Sequence, residues 1–320
     1  MTRKIIVFSL LLSLTVSLLI IYLTPPIDDF HPENTYWNGL SRAVEILNIT
    51  FGKLEATVLT YPGSKALIIL SPSIPFTSSE IEAIKNFLQN GGLLIVADDF
   101  GLSNTLLEGL GITARFNNSL LRDPLFMEKS SSLPKITVKE LKAWNISTIT
   151  FNYATVIDGL QLKPLASSSS FSYLDLNLNG KWDPEEPKGP FPVIAEIPYG
   201  SGLIIMLSDP SIMINSMINM EDNQKLLKNI INERKVFLDI SHWSTTPYTA
   251  VKESLNVIAK FSLTIEAKYS ILIIVTAFII KYTPIIKHRI IDEVDEALRK
   301  HPDWSREILQ KLVKERIGKQ

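Results

Sequence analysis

The polar residues between positions 175 and 186 have the types and spacing of a cation-binding loop. The segment reads DLNLNGKWDPEE and matches the calcium-loop template D-x-D/N-x-D/N-G-x5-E at every fixed position. Such a loop offers oxygen ligands, which suit a hard cation such as Ca²⁺. The expected ligands are the side chains of Asp175, Asn177, Asn179, Asp183 and Glu186, and the backbone carbonyl of Lys181.

Three features of this loop point to weak binding. It is not flanked by two amphipathic helices, so an EF-hand is not expected, and Pro187 disfavours helical geometry at Glu186. With three carboxylates among the ligands, we expect a dissociation constant on the order of 10⁻⁴–10⁻³ M, as in extracellular calcium modules. The alternative is an Asx-rich turn whose side chains bond their own backbone.

A second set of polar residues follows the apolar runs that predict buried strands. These runs are KALIIL (65–70), LLIVA (93–97) and LIIML (203–207), each nearly continuous in apolar residues, as in strands that are buried on both faces. Open parallel sheets bind ligands at the carboxyl ends of their strands. The residues that could line such a crevice are Ser71, Asp98, Asp99, Ser208 and Asp209. The alternative is that they cap the following helices, as Ser and Asp often do.

Enzymatic chemistry has little support in the sequence. The chain has no cysteine, which excludes disulfides, thiolate catalysis and Cys-ligated metal sites. A G-x-S-x-G nucleophile elbow is also absent. One alternative is a surface hydrolase in which His242 acts as a general base beside Asp98 or Asp99. Another is a sugar-binding module, whose stacking residues would be Trp37, Trp182 and Trp243.

The elements around these residues predict an α/β domain. After the first strand, Thr77 and Glu80 have the spacing of a capping box at the start of an amphipathic helix, and Asn90-Gly91-Gly92 ends that helix. Strands that alternate with helices in this way indicate a mostly parallel sheet. Residues 112–200 instead contain more exposed strand-like runs, which we interpret as a β-rich insertion in the same domain.

Hydrophobic helices are expected at both ends of the chain. The uncharged run from Ile5 to Leu23 has 19 residues, enough to cross a hydrocarbon core of about 30 Å. A second segment, 266–287, is interrupted by Lys281, which could reach the interface by snorkelling. The basic residues before the first segment and after the second place both termini in the cytoplasm. The alternatives are a cleaved signal peptide for the first segment and a buried or surface-lying helix for the second.

The expected layout follows from these segments. Residues 1–4 are cytoplasmic, 5–23 span the membrane, 24–265 form the extracytoplasmic α/β domain, 266–287 span again, and 288–320 form a cytoplasmic helical tail. Residues 5–280 carry 20 basic and 26 acidic residues. This acidic balance gives no basic surface for nucleic acid.

Three stretches resemble a known group of proteins. PFTSSEIEAIKNFLQNGGLLIVADDFG, NTLLEGLGI and YGSGLIIMLSDPSIMINSMINMEDNQKLLKNII are similar to an uncharacterised family of prokaryotic, most typically archaeal, membrane proteins. The resemblance implies a GldG-like ectodomain with a flavodoxin-like fold of the class I glutamine-amidotransferase-like group. It also implies association with MoxR-type AAA ATPases and a role in envelope assembly or export.

The sequence departs from the amidotransferases at the catalytic position. Those enzymes carry a cysteine nucleophile on a tight turn after a strand, whereas the turn that the resemblance makes equivalent in this chain has Asp98, Asp99 and Phe100. Amidotransferase chemistry is therefore excluded, whatever the fold. The expected function is a non-enzymatic, membrane-anchored binding or assembly protein, whose partners are the lipid bilayer and an unidentified envelope or membrane protein.

Overall fold

The computed structural model describes residues 2–55, 57, 59–138, 144–159 and 162–317. The helices are α1 (Thr2–Leu23), α2 (Ser41–Leu47), α3 (Ser78–Gln89), α4 (Ser103–Gly109), α5 (Asn223–Ile231), α6 (Pro247–Ser262), α7 (Ile265–Lys300) and α8 (Arg306–Ile317). The strands are β1 (Ile49–Gly52), β2 (Lys65–Leu70), β3 (Leu93–Ala97), β4 (Arg115–Phe116), β5 (Leu120–Arg122), β6 (Lys135–Thr137), β7 (Thr148–Thr150), β8 (Ile157–Asp158), β9 (Lys163–Ser167), β10 (Tyr173–Asp175), β11 (Pro192–Tyr199), β12 (Gly202–Leu207) and β13 (Lys235–Asp239).

Seven strands form the main sheet, in the order β1-β13-β2-β3-β12-β11-β9. The five strands from β1 to β12 in this order are parallel, and β11 is antiparallel to both β12 and β9. The prediction of a mostly parallel α/β sheet is therefore confirmed. The flavodoxin-like assignment is not confirmed. In flavodoxin the strand order is 2-1-3-4-5, whereas here the last strand, β13, lies between β1 and β2.

Both faces of this sheet are covered, which explains the continuous apolar runs. On β2, Ala66, Ile68 and Leu70 pack in one core together with α2 and α5, while Leu67 and Ile69 pack in a second core with α3 and α4. Side chains alternate between the two faces of a strand, so every position of such a strand must be apolar.

The predicted capping box begins α3. The Thr77 hydroxyl accepts from the Glu80 backbone N–H, and the Thr77 backbone N–H donates to the Glu80 carboxylate at 2.8 Å. Local sequence thus sets where this helix starts.

Residues 112–200 contain β4 to β11. Of these strands, β9 and β11 extend the main sheet, and the other six form three two-stranded sheets that pair β5 with β10, β4 with β8, and β6 with β7.

Helix α1 is a candidate membrane span. Arg3–Leu23 is long and apolar enough to cross a bilayer, and none of it is buried against the rest of the chain. This agrees with the predicted anchoring at the N-terminus. The second predicted span, 266–287, begins within α7. There the structure has a pair of helices, Pro247–Ser262 and Ile265–Lys281, that are apolar enough together but bent by 76° at the break between them. A two-pass topology is therefore not shown.

The chain divides into two compact units, Met1–Lys252 and Glu253–Gln320. In the second unit α8 is joined to α7 by ion pairs of Arg316 with Glu293 and of Arg306 with Asp295.

Within the first unit, Lys252 fastens the end of α1 to the α/β domain. Its side chain is buried, and Nζ donates to the backbone carbonyls of Tyr22 at 2.9 Å and Thr24 at 2.5 Å. These carbonyls belong to the last turn of α1 or follow it, where helical partners are missing and a positive charge is favourable. The Thr24 hydroxyl also bonds the Tyr248 hydroxyl. The candidate membrane helix α1 is thus held to the α/β domain by charge-assisted hydrogen bonds.

Replacing Lys252 by Met should weaken this attachment. The side chain keeps most of its length, but the carbonyls at the end of α1 lose their donor, and we expect a loss of about 2 kcal/mol. Thermal unfolding of the full chain in detergent measures this loss. Lys260→Met, at an exposed position of the same helix, is the matched control. Equal melting temperatures for the two variants would contradict the assigned role of Lys252.

Candidate functional site

The carboxyl ends of the parallel strands bring the predicted crevice residues to one edge of the sheet. Ser71 follows β2, Asp98 and Asp99 follow β3, and Ser208 and Asp209 follow β12. Of these five residues, Ser71 and Asp99 are partly exposed, and the other three are buried. Any ligand at this edge would therefore meet Ser71 and Asp99 first.

Asp98 acts as a cap for the turn after β3. Its carboxylate accepts from the backbone N–H groups of Asp99 at 2.9 Å, Gly101 at 2.8 Å and Ser103 at 2.9 Å. Glycine is required at position 101, because a Cβ there would lie 2.6 Å from the Asp98 carboxylate. Asp98 therefore has the geometry of a capping residue. One oxygen holds the turn after β3, and the other accepts from Ser103 at the start of α4.

Asp209 is held in a similar way after β12. Its two oxygens accept from the backbone N–H groups of Asn152 and Ser211, each at 2.7 Å. The residue is fully buried, and burial raises the pKa of its carboxyl well above the usual range, with a further contribution from the nearby charge of Asp99. Asp209 therefore joins the β12 edge to the loop that contains Asn152.

Asp99 is the carboxylate of this group that is best placed for chemistry. It is partly exposed, and burial raises its pKa to about 6, with a smaller contribution from the charge of Asp98. Its Oδ1 accepts from the backbone N–H of Phe100 at 2.6 Å. A partly exposed carboxyl with a pKa near 6 can exchange protons near neutral pH.

The two serines of the crevice have backbone roles. Ser71 has a φ of 40°, and its N–H donates to the Ala97 carbonyl at 2.9 Å, which links β2 to β3. The carbonyl of Ser208 accepts from Thr155 at 2.9 Å, and its buried hydroxyl has no partner among the described residues. A serine nucleophile needs a base within hydrogen-bonding distance. Among the described residues, no such base is bonded to the hydroxyl of Ser71 or Ser208.

His242 lies between two carboxylates. Its Nδ1 is 2.5 Å from Asp239, its Nε2 is 3.4 Å from Glu80, and its ring stacks on Phe76 with centroids 3.7 Å apart. Burial lowers the pKa of the imidazole, but the hydrogen bond and charge of Asp239 and the charge of Glu80 outweigh it, so the net pKa is raised. His242 therefore links the end of β13 to the start of α3 through its contacts with Asp239 and Glu80.

This arrangement differs from the predicted hydrolase. The ring nitrogens of His242 contact Asp239 and Glu80, rather than Asp98 or Asp99. The sequence analysis missed both partners. The Asp239-x-x-His242 spacing at a strand end was a local signal for the first. The sequence predicted Glu80 as a capping residue. Its contact with His242 was not predicted, because that contact depends on the position of β13 in the sheet.

The predicted cation loop folds around its own side chains. Asp175 is buried and accepts from the backbone N–H groups of Asn179 and Gly180, each at 3.0 Å. Gly180 has a φ of +77°, so the template glycine supplies the left-handed turn. Asp175 also forms an ion pair with Arg122 of β5, a residue that the sequence analysis missed because β5 is 53 positions away.

The other loop side chains converge as well. The amides of Asn177 and Asn179 donate to one Asp183 oxygen at 2.8 and 2.7 Å. Glu186 accepts from the backbone N–H groups of Leu176 at 2.8 Å and Asp183 at 3.1 Å. Among the described residues, no group of three or more His, Asp or Glu side chains is close enough to hold a metal ion. The loop geometry therefore fits the Asx-rich turn, in which the side-chain oxygens of Asn177 and Asn179 accept from backbone N–H groups of the same loop.

The three tryptophans predicted for sugar stacking have different surroundings. Trp37 is 67% exposed, Trp182 lies under the Lys188 ammonium at 3.6 Å, and the indole N–H of Trp243 donates to the Leu70 carbonyl at 2.5 Å. Of these three tryptophans, Trp37 has the most exposed side chain.

A family model described as a domain of unknown function, DUF4350, matches residues 32–231. The chain belongs to the DUF4350 family. The match covers the α/β domain from the segment after α1 to the end of α5, and it includes every crevice residue and the whole cation loop. No curated protein matches the chain.

Solved structures show only distant likeness to this DUF4350 protein. The N-terminal domain of mmIFT52 is 17% identical, with a TM-score of 0.45 over 57% of this chain and 82% of that one. A ThuA-like protein from Bacteroides uniformis is 14% identical, with a TM-score of 0.36 over 61% and 85%. A β-galactosidase from Bacillus circulans sp. alkalophilus is 12% identical, with a TM-score of 0.33, and the chain covers 26% of its length.

The raised pKa of Asp99 predicts a pH dependence that Asp99→Asn removes. A carboxyl whose pKa is about 6 when folded and 3.8 when unfolded contributes stability that is fully present below pH 3.8. This contribution is lost as the pH rises through 6. We therefore expect the native chain to lose on the order of 1–2 kcal/mol between pH 4 and 7 relative to the variant, a value reduced for partial exposure.

Chemical denaturation of the full chain at several pH values measures this difference. Asp303→Asn, at an exposed position of the tail, is the control and should follow the native pH profile. Parallel profiles for the native chain and Asp99→Asn would contradict the assignment.

Proposed function

We propose that this DUF4350 protein is a membrane-anchored, non-enzymatic binding or assembly protein of the cell envelope. The observation that carries the proposal is the attachment of α1, an apolar helix none of whose span is buried, to the α/β domain through the buried Lys252. A domain fixed in this way keeps a defined orientation to the bilayer, which an assembly factor needs and a diffusing enzyme does not.

The absence of an enzymatic activity is part of the same proposal. Asp98 and Asp209 each use both oxygens to hold backbone N–H groups, and His242 is occupied by Asp239 and Glu80. These contacts favour structural roles for the residues that a hydrolase would use. Asp99 remains as a proton-exchanging group, but it has no described nucleophile or base beside it.

The resemblance to GldG-like and amidotransferase-like proteins is also part of this proposal. The motifs quoted from residues 76–112 and 199–232 support a GldG-like, amidotransferase-like ectodomain and a partner such as a MoxR-type AAA ATPase. An ATPase would act on the cytoplasmic tail, so the proposal includes a second membrane passage through 266–287 and cytoplasmic termini. The cysteine-free sequence makes this topology directly testable.

Single cysteines at Ser170 and Ser305 should report opposite sides of the membrane. Ser170 is exposed in the α/β domain and Ser305 is exposed in the tail, whereas the neighbouring Ser168 is buried and unsuitable. In intact cells, a membrane-impermeant maleimide should label Ser170→Cys and leave Ser305→Cys unlabelled until the cells are opened. A photo-crosslinker on Ser305→Cys should then capture an ATPase.

Two results would count against the proposed function. Labelling of position 305 from outside would exclude the two-pass topology. An ester, amide or glycoside hydrolysed by the purified full chain, with the activity lost in Asp99→Asn, would establish an enzyme instead.

We also propose that the loop from Asp175 to Glu186 binds Ca²⁺ weakly. The template match supports this, because Asn177, Asn179 and Asp183 stand at ligand positions and their side chains lie within hydrogen-bonding distance of one another. The amides of Asn177 and Asn179 now donate to Asp183, and they would rotate to present their oxygens to the cation. The Asp175–Arg122 ion pair places a fixed positive charge beside the site, and this repulsion is expected to keep the affinity low. Bound calcium would cross-link the ends of the loop, and no catalytic step depends on it.

Asp183→Asn should abolish this calcium binding. The substitution removes a carboxylate at loop position 9 but keeps its size, and Asp183 does not take part in the buried Arg122 pair. Calorimetry on the full chain in detergent should give a dissociation constant on the order of 10⁻⁴–10⁻³ M for the native loop. Glu185→Gln, next to the ligands but outside the template, should bind like the native chain. No heat and no thermal shift at about 10 mM calcium would refute the site.

A further inference from the structure

The end of α1 lies at the carboxyl edge of the main sheet. Strand β13 ends at this edge, and the chain then passes through His242 to Thr246, whose hydroxyl donates to Asp28 at 2.6 Å. Six residues further on, Lys252 binds the carbonyls at the end of α1. The end of α1 therefore lies on the same side of the domain as the crevice residues, and under the proposed anchoring this edge is the one nearest the bilayer.

Exposed apolar side chains surround that edge. Ile74 follows β2, Phe100 and Leu102 follow β3, and they are 41%, 51% and 37% exposed. Trp37, 67% exposed, has its carbonyl bonded to the Ser216 N–H in the segment after β12, and Tyr153, 54% exposed, follows the Asn152 that binds Asp209. We call these five residues the apolar rim.

The opposite edge of the sheet is different. The loops that precede the parallel strands lie at this edge. Among their described residues, one large apolar side chain is exposed, that of Tyr61. Single exposed apolar residues are ordinary, but five such residues from four loops at one edge are more than isolated exposure and indicate an interaction surface. The exposed apolar side chains are therefore concentrated at the carboxyl edge of the sheet rather than shared between its two edges.

The charges near the apolar rim indicate which kind of lipid surface could contact it. Asp29 and Glu33 are exposed in the segment that carries Trp37, and Asp99 adjoins Phe100. The nearby Arg42 donates from its guanidinium to the Asn215 carbonyl at 3.0 Å. Anionic lipids would be repelled by this acidic set, whereas Trp and Tyr prefer the interface of a bilayer for reasons of polarity and shape.

We propose that the apolar rim rests in the headgroup region of the bilayer that α1 crosses, so that the α/β domain docks on the lipid surface with its crevice facing the membrane. The proposal rests on the proposed membrane anchoring and adds a second contact to it. The rim continues the surface where α1 leaves the domain, and contact through aromatic and aliphatic groups does not require anionic lipid. A ligand of the crevice would then approach from the plane of the membrane.

Fluorophores at single cysteines test this contact. Trp37→Cys, Phe100→Cys and, as the control at the opposite edge, Tyr61→Cys are all substitutions of exposed residues. Each full-length variant is labelled with an environment-sensitive dye and placed in nanodiscs of phosphatidylcholine. Nitroxide lipids labelled near the headgroup quench from the bilayer, and iodide quenches from water.

Positions 37 and 100 should be quenched several-fold more by the nitroxide lipid than position 61 and be shielded from iodide. Replacing part of the phosphatidylcholine by an anionic lipid should not increase this difference. Equal quenching at all three positions would overturn the docking proposal, even where the chain co-elutes with the nanodiscs. Failure of the chain to co-elute would instead overturn the membrane anchoring on which it rests.

Discussion

The buried ammonium of Lys252 joins the candidate membrane helix α1 to the α/β domain. The last turn of a helix leaves backbone carbonyls without helical partners, and here a lysine of α6 supplies the donors. Because only a short loop separates β13 from α6, this bond and the one from Thr246 to Asp28 hold the end of α1 near the carboxyl end of β13. The membrane anchoring and the docking on the bilayer that we propose both depend on this attachment.

The carboxyl edge shows how similar residues take different roles through burial. Asp98 and Asp209 are buried and hold backbone N–H groups, so they stabilise turns. Asp99, next in sequence to Asp98, is partly exposed and has a pKa of about 6. His242 is neither a free base nor a metal ligand in this arrangement, since Asp239 and Glu80 take both of its nitrogens. These assignments are the support for the binding role that we propose.

The cation loop is determined almost entirely by local sequence. Asn177 and Asn179 bond to their own segment, and Gly180 has the left-handed conformation that the template assigns to its glycine. The sequence did not predict Arg122, because the ion pair with Asp175 depends on the pairing of β5 with β10. In the calcium binding that we propose, this pair places a charge from a distant strand beside residues that are all local in sequence.

The sequence by itself determined the features that depend on neighbours along the chain. These are the apolar helix α1, the strands that are buried on both faces, the capping box of Thr77 and Glu80, and the mostly parallel character of the sheet. Hydrophobic periodicity and caps act over a few residues, so one sequence is enough to read them. The place of β13 between β1 and β2, the contact of His242 with Glu80 and the bond from Lys252 to α1 were decided only by the tertiary structure. Each joins segments that are more than 150 residues apart or depends on the order of strands, and the free energy that selects such contacts comes from packing the complete core rather than from any local pattern.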